Sequence, residues 1–546
     1  MSSKNRTRSA PADRFVLGVD VGTGSARAGI FTLDGKLVGT ARKDIALYRA
    51  SGSIAEQSSA DVWAGVSSAV RGALSSSGVA AEAVAGIGFD ATCSLVVIGA
   101  DGQGLPVGDP ERPDRDIIVW MDHRATDQAR RINDTGHEVL RYVGGAVSPE
   151  MEMPKLLWLK ENRRSVFDAT RHFFDLTDFL SWKATGSLAR SSCTVTCKWN
   201  YVGHENRWDR DYLRLIGLRE LADDLSRIGE RIAKPGEALA NGLSAAAAED
   251  LGLAPGTPVA AGLIDAHAGG LGTVGVTGEV TENLAYVFGT SSCTMTTTVD
   301  PVFVPGVWGP YHSAMVPGLW LNEGGQSAAG AAIDHLLKLH PAHDAALAAA
   351  EAEGISLPEW LGRRAAGMIG DRPLSAIVEL ATGLHVVPEF MGNRAPHADP
   401  EARAVIVGLG MDDGPENLAA LYVAGLCGLG YGLRQIIEAQ AECGAPVQRI
   451  VISGGAGQSD LVRRLLADAT GKPVLTVASP EPVLLGSAIL GAVAAGCFLD
   501  ISAAMRAMSS PGGSIKPAAG SIAERHNLRY QTFRQFQAFG RQVREF

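Results

Sequence analysis

The chain has 546 residues, 46% of them hydrophobic and 20% charged, with 49 Lys and Arg against 59 Asp and Glu and so a formal charge of −10. That is the composition of a large globular protein of several units, taking roughly 150 residues per domain, and it excludes one small module. Without a basic tract the chain has no means of neutralising many phosphates, which excludes nucleic acid as its main partner.

Met1 to Arg14 is polar and basic with no apolar centre, which predicts a disordered tail over 1–13 rather than a signal peptide or an anchor. A strand is predicted over 15–20, then a Gly-rich turn over 21–25 and a second run over 27–33. Asp34-Gly35 turns the chain into Leu37 and Val38, which completes a β-meander. Ser59 opens a helix carrying Val62, Val66 and Val70 on one face, and 84–89 is the next strand, ending in Asp90-Ala91-Thr92-Cys93-Ser94. Helices with Trp158 and Leu180 follow. Residues 244–250 form an Ala-rich helix, 255–258 turn the chain into a buried strand over 259–263, and the Gly-rich stretch 262–275 reads as a domain junction.

Beyond the junction, 281–299 gives two more strands around Phe288-Gly289-Thr290-Ser291-Ser292. The second half thus opens as the first does, with Gly289-Thr290 echoing Gly22-Thr23. A long helical stretch over 418–443, a strand over 449–453, a loop over 454–457 and an amphipathic helix over 459–470 complete the pattern. Strands alternating with helices of this length predict two α/β domains with a cleft between them. No stretch reaches the ~18 uninterrupted apolar residues of a spanning helix, so no membrane partner is expected and the compartment is read as cytoplasmic. Seven dispersed cysteines without a CxxC pair read as reduced thiols, and Cys193 and Cys197 as small buried hydrophobes.

Three segments carry candidate chemistry. Gly22 and Gly24 let backbone approach a ligand, Thr23 and Ser25 add hydroxyls and Arg27 a positive charge, which together suit a phosphate. Asp20, beside that turn, suits Mg²⁺ held through water, or merely caps the turn. Gly455-Ala456-Gly457 lacks the third glycine of a dinucleotide motif, yet it follows a strand and precedes a helix. An adenosine site and a plain helix-entry loop both fit it. Neither a P-loop nor HExxH nor GxSxG occurs. Asp265 follows an apolar strand and can accept a proton from a substrate hydroxyl. His267 is a rival base that, two residues on along an extended stretch, would share its face and support it; its plainer reading is a packed or hydrogen-bonded histidine.

Taken together, seven segments resemble the FGGY family of carbohydrate kinases: 18–25, 120–124, Asp178-Phe179-Leu180 with Thr185-Gly186, 262–267, 289–292, 390–396 and 453–459. The resemblance runs from about Phe15 to about Leu499. It implies two ribonuclease H-like domains closing on ATP and a sugar: 14–270 for the sugar and one phosphate hairpin, 271–500 for the nucleotide, with 501–546 a helical extension. Asp265 falls where the family has its catalytic base and Asp20 where it has its Mg²⁺ ligand. Gly22, Thr23, Gly24, Ser25 and Arg27, with Gly289, Thr290 and Ser291, become phosphate hairpins, and Gly454, Gly455 and Ser459 fall on the adenosine motif. In the sugar loop, Thr92, Cys93 and Ser94 resemble the D-ribulokinase-like subgroup and fit xylulokinases and glycerol kinases poorly. Lys198 and Glu323 fall where ribulokinases contact sugar oxygens. The resemblance implies an ATP- and Mg²⁺-dependent pentulose kinase, D-ribulose to D-ribulose 5-phosphate. L-ribulose, ribitol or another pentitol as substrate, or a non-catalytic sugar-sensing or scaffold protein on the same fold, are the alternatives. A small sugar is the expected partner, and a homodimer is left open.

Overall fold

The computed structural model describes residues 14–50 and 53–545; the tail expected over 1–13 lies outside them. The first apolar run forms β1 (Phe15–Val21), with six of seven residues buried, and the glycine turn returns the chain as β2 (Ser25–Thr32) and β3 (Leu37–Asp44). Helix α1 (Ser59–Ser77) starts where the Ser58 hydroxyl accepts from the Asp61 N–H and stops at Gly78, whose φ of +68° only glycine adopts without strain. β4 (Val84–Ala91) lies parallel to β1, and β5 (Leu263–Ile264) parallel to β4, giving the sheet order β3-β2-β1-β4-β5. The strand expected over 259–263 is thus shorter: Val259 and Ala260 make only isolated bridges, and pairing resumes at Leu263.

From β5 the chain enters α2 (Asp265–Val274), so the stretch after Asp265 is helical and not extended. The second sheet follows with β6 (Asn283–Phe288), β7 (Ser292–Thr298), β8 (Trp308–His312) and β9 (Trp320–Gln326). After the long helix α3 (Pro415–Glu442) come β10 (Arg449–Ser453), α4 (Asp460–Thr470) and β11 (Val474–Val477). α5 (Pro482–Ala494), β12 (Pro511–Ile515) and α6 (Ser521–Gln542) end the chain. The sheet order is β8-β9-β7-β6-β10-β11-β12. Its middle five strands, β9-β7-β6-β10-β11, repeat the order of the first sheet, and in both the second strand runs antiparallel to the first. The Gly22-Thr23 and Gly289-Thr290 pairs therefore sit in equivalent turns.

Two helices tie the halves together. A Cβ on Gly272 of α2 would lie 2.0 Å from the Pro482 carbonyl oxygen, and one on Gly486 of α5 1.9 Å from that of Ala268. α5 also lies on the first sheet, where a Cβ on Gly18 or Gly88 would meet the carbonyls of Leu484 or Ser487 at 2.0 and 1.9 Å. Gly272, in the stretch 262–275 that read as a domain junction, thus serves with Gly486 a crossing of backbones too close for any side chain. The terminal stretch 501–546 is not wholly helical, since β12 adds an edge strand to the second sheet, and Tyr530 and Phe533 of α6 join the second core. Helix α3 is long and apolar enough to cross a membrane by length and composition, but 89% of its most apolar window is buried inside the protein.

Candidate active site

Neighbouring strand ends place three carboxylates side by side: Asp20 on β1, Asp90 in register with it on β4, and Asp265 directly after β5. Asp20 is buried, and its Oδ2 accepts from Arg27 Nε at 2.7 Å. Arg27 also donates to Glu481 at 2.9 Å, so the cation expected to face phosphate is already shared between two carboxylates. Asp90 accepts from the Ser487 hydroxyl at 2.5 Å, while its Oδ1 is buried without a partner. Burial, and then the charge of Asp20, push its carboxyl well above the usual range. The same two causes raise Asp265 to about 6, and the Ala266 N–H at 2.7 Å holds its Oδ1. Asp265 is thus mostly ionised at neutral pH and a stronger base than an exposed carboxylate.

Asp265 lines a cavity of about 440 Å³ together with Asp20, Gly22, Thr23, Gly24, Ser25, Arg27, Thr92, Cys93, Lys198, Ser291 and Glu323. Residues scattered over 300 positions thereby meet in one place. The Thr23 and Gly24 N–H groups carry no hydrogen-bond partner among the described residues, while Gln57 Nε2 and Trp120 Nε1 fix Thr23 through its carbonyl and hydroxyl at 2.9 and 3.0 Å. Lys198 ends the helix Ser192–Lys198, is 7% exposed, and holds its ammonium 5.0 Å from the centre of the Trp308 ring. Glu323, on β9, is held low, at about 2: burial opposes this, and Lys198 and His267 outweigh it. Ser94 does not line the cavity; it is fully buried, bonds Thr92 Oγ1 at 3.1 Å, and accepts from the Trp120 N–H at 3.2 Å.

The cavity also holds Glu150, Trp308 and Arg394. Sequence reasoning missed all three and Trp120 as well; Arg394 and Trp120 stand inside segments that carry the family resemblance, the signal that could have found them, whereas no pattern marks Glu150 or Trp308. Asp90, next to the last residue of β4, was also missed, since only its neighbours Asp20 and Asp265 give it meaning. His267 lies around the helix from Asp265 and is fully buried between Cys193 Sγ at 3.1 Å and Glu323 Oε2 at 3.3 Å. Cys193 is therefore more than a small hydrophobe: its sulfur, that of Cys197 and a His267 nitrogen lie within 4.8 Å of one another.

A second cavity, of about 770 Å³, is lined by Gly455, Ala456, Ser459, Phe288, Tyr422 and Pro358 among others. Gly454 does not line it; its φ of +92° and the Phe288 carbonyl, 2.3 Å from where a Cβ would sit, make it a turn that only glycine fits. Val287 lines the first cavity and its neighbour Phe288 the second, so the end of β6 and the turn 289–291 stand between them. The Gly289 and Thr290 carbonyls accept from the N–H groups of Gly330, Ala329 and Ala331, which leaves the Thr290 and Ser291 N–H groups without partners among the described residues. Unpaired N–H groups in a turn set between two cavities are the kind of donors that can hold an anion.

Family models for the FGGY family of carbohydrate kinases match the N-terminal domain over residues 15–272 and the C-terminal domain over 284–495. The chain is 44% identical over 533 residues to a human FGGY carbohydrate kinase domain-containing protein, covering 95% of this chain and 96% of that one. It is 39% identical over 520 residues to a D-ribulokinase of Saccharomyces cerevisiae, covering 89% and 73%. Its fold matches the crystal structure of xylulose kinase from Rhodospirillum rubrum with a TM-score of 0.79 at 22% identity, over 96% and 99% of the two chains. With both domain models matched in order over two α/β halves, the chain belongs to the FGGY family of carbohydrate kinases and is a phosphotransferase of that family.

Proposed function

We propose that the protein transfers the γ-phosphoryl group of ATP to the terminal hydroxyl of a pentulose, D-ribulose to D-ribulose 5-phosphate. The observation that carries this reading is the meeting of Asp265, Lys198 and Glu323 in one cavity beside the Thr23 turn. The substrate is neutral on this reading, because the cavity is already balanced: Asp20, Glu150, Asp265 and Glu323 face Arg27, Arg42, Lys198 and Arg394. An aldonate would bring an unmatched charge into it. The likeness to a D-ribulokinase at 39% identity supports the choice among neutral sugars.

Phosphoryl transfer needs positioning and charge stabilisation more than covalent chemistry. Asp265 takes the proton of the attacking hydroxyl, Lys198 and Glu323 hold other sugar oxygens, and the N–H groups of the two turns face the phosphates. The adenosine occupies the cavity over Gly455 and Ser459. Mg²⁺ takes oxygen donors, and Asp20 with the unpartnered Oδ1 of Asp90 beside it fits that need. When bound, the ion would neutralise charge on the phosphates. An ADP-release panel with D-ribulose, L-ribulose, D-xylulose, ribitol and gluconate tests the reading. The highest kcat/KM is expected for D-ribulose; gluconate as the best acceptor would refute the neutral pocket, and a better pentitol would move the substrate class.

A further inference from the structure

Two side chains outside the contact set assigned above, Cys193 and His267, form a continuous buried chain with Glu323. The Ile264 N–H donates to Cys193 Sγ at 3.4 Å, Cys193 Sγ meets His267 Nδ1 at 3.1 Å, and His267 Nε2 meets Glu323 Oε2 at 3.3 Å. Cys193 and His267 are wholly buried and Glu323 is 6% exposed. Each member stands on a different element, and each element carries a group assigned to the sugar: Cys193 on the helix that ends in Lys198, His267 on the helix that begins with Asp265, and Glu323 on β9 of the other sheet. The imidazole has both nitrogens engaged and bridges Cys193 of the first half of the chain to Glu323 of the second.

We propose that Cys193 and His267 are positioning residues that act through Glu323: they hold its Oε2, fix the carboxylate as an acceptor, and leave Oε1 to read a sugar hydroxyl. The physical reason is economy of rotamers. A glutamate has three rotatable bonds, and an unsupported one in the cleft would lose that freedom only when sugar binds, whereas His267 removes it beforehand. Charge points the same way, since a buried carboxylate needs a partner and His267 supplies one without occupying the cavity. The inference rests on Glu323 contacting the sugar, as proposed above.

The test is steady-state kinetics on the acceptor that the unmodified protein phosphorylates best. His267→Ala is expected to raise the acceptor KM by about tenfold while the ATP KM moves less than about twofold, as expected for loss of one buried charge-assisted hydrogen bond. Cys193→Ala should raise the acceptor KM less, and Cys193→Ser should restore part of the loss. The decisive arm is a double-mutant cycle: in a Glu323→Ala background, where no side-chain oxygen remains to meet His267, His267→Ala should add little further, because both changes remove the same interaction. Additive losses, or equal losses for ATP and acceptor, would overturn the proposal, as would about one zinc ion per chain in the purified protein, which would make Cys193, Cys197 and His267 metal ligands instead. Should His267→Ala fail to fold, His267→Gln takes its place in the cycle. Failure of the pentulose reading is distinct, since it appears in the unmodified protein as a different preferred acceptor. A crystal structure of the His267 variant with Glu323 unmoved would refute the relay whatever that acceptor is.

Discussion

If Asp265 is the general base, its raised carboxyl should be visible as an acid limb in the pH profile. Burial and the neighbouring Asp20 bring it from an ordinary 3.8 to about 6. The base must be ionised to accept the proton, so activity is present above that value and falls as pH drops through it. Lowering the pH from 8 to 5 leaves roughly a tenth of such a group ionised, whereas a carboxylate at its ordinary value would stay more than about nine-tenths ionised. The expected result is therefore a fall of about tenfold in kcat/KM for the sugar between pH 8 and pH 5, with unit slope at the acid end. His267 cannot produce that limb: burial lowers it, but Cys193 and Glu323 more than compensate and hold it near 10. The assay is ADP release at saturating ATP and low sugar across pH 5 to 8, with circular dichroism at each end to exclude unfolding. Asp265→Asn, nearly isosteric and unable to take the proton, should lose about 10²–10⁴ in kcat and leave a residue of activity without the limb. A flat profile down to pH 5, or the same limb in Asp265→Asn, would refute the assignment.

Lys198→Ala should raise the acceptor KM about ten- to a hundredfold and leave the ATP KM nearly unchanged, because truncation strips one or two charge-assisted bonds from a buried site; parallel losses in both constants would mean general destabilisation. Asp20→Ala should weaken Mg²⁺-ATP use more than sugar binding, read as the Mg²⁺ concentration for half-maximal rate, and equal losses would contradict its role. Gly88→Ala places a methyl 1.9 Å from the Ser487 carbonyl, where only backbone movement can make room. It should cost about 1–3 kcal/mol or more and lower Tm by several degrees, and an unchanged Tm would mean that α5 is not packed as described.

The sequence by itself determined the local alphabet of this protein. Alternating strand and helix patterns, the Asp34-Gly35 turn and the helix starts at Ser59 and Ser459 are local signals, and each element they predict is present within a few residues. The paired turns were legible as a repeated pattern, a strand delivering Gly-Thr into a tight turn and a second strand, although Gly22, Gly24 and Gly289 have neither a positive φ nor a crowded Cβ position that would demand glycine. Seven motifs in one order carried the resemblance to the family, and with it Asp265, while two further segments resembling ribulokinases carried Lys198 and Glu323.

What only the tertiary structure decided concerns groups whose meaning depends on a distant neighbour. Arg27 reads as a free cation until Asp20 and Glu481, 454 residues away, take its guanidinium. The glycine-rich stretch 262–275 reads as a domain junction until α5 is laid across it, and then Gly272 is a point where two helix backbones touch. His267 looked like a companion of Asp265 because two residues along a strand share a face; one helical turn started at Asp265 sends it the other way, to Cys193 and Glu323. Spacing along the chain fixes which side chains neighbour each other within an element, but charge pairing and burial are set by what folds against that element, and no local pattern records that.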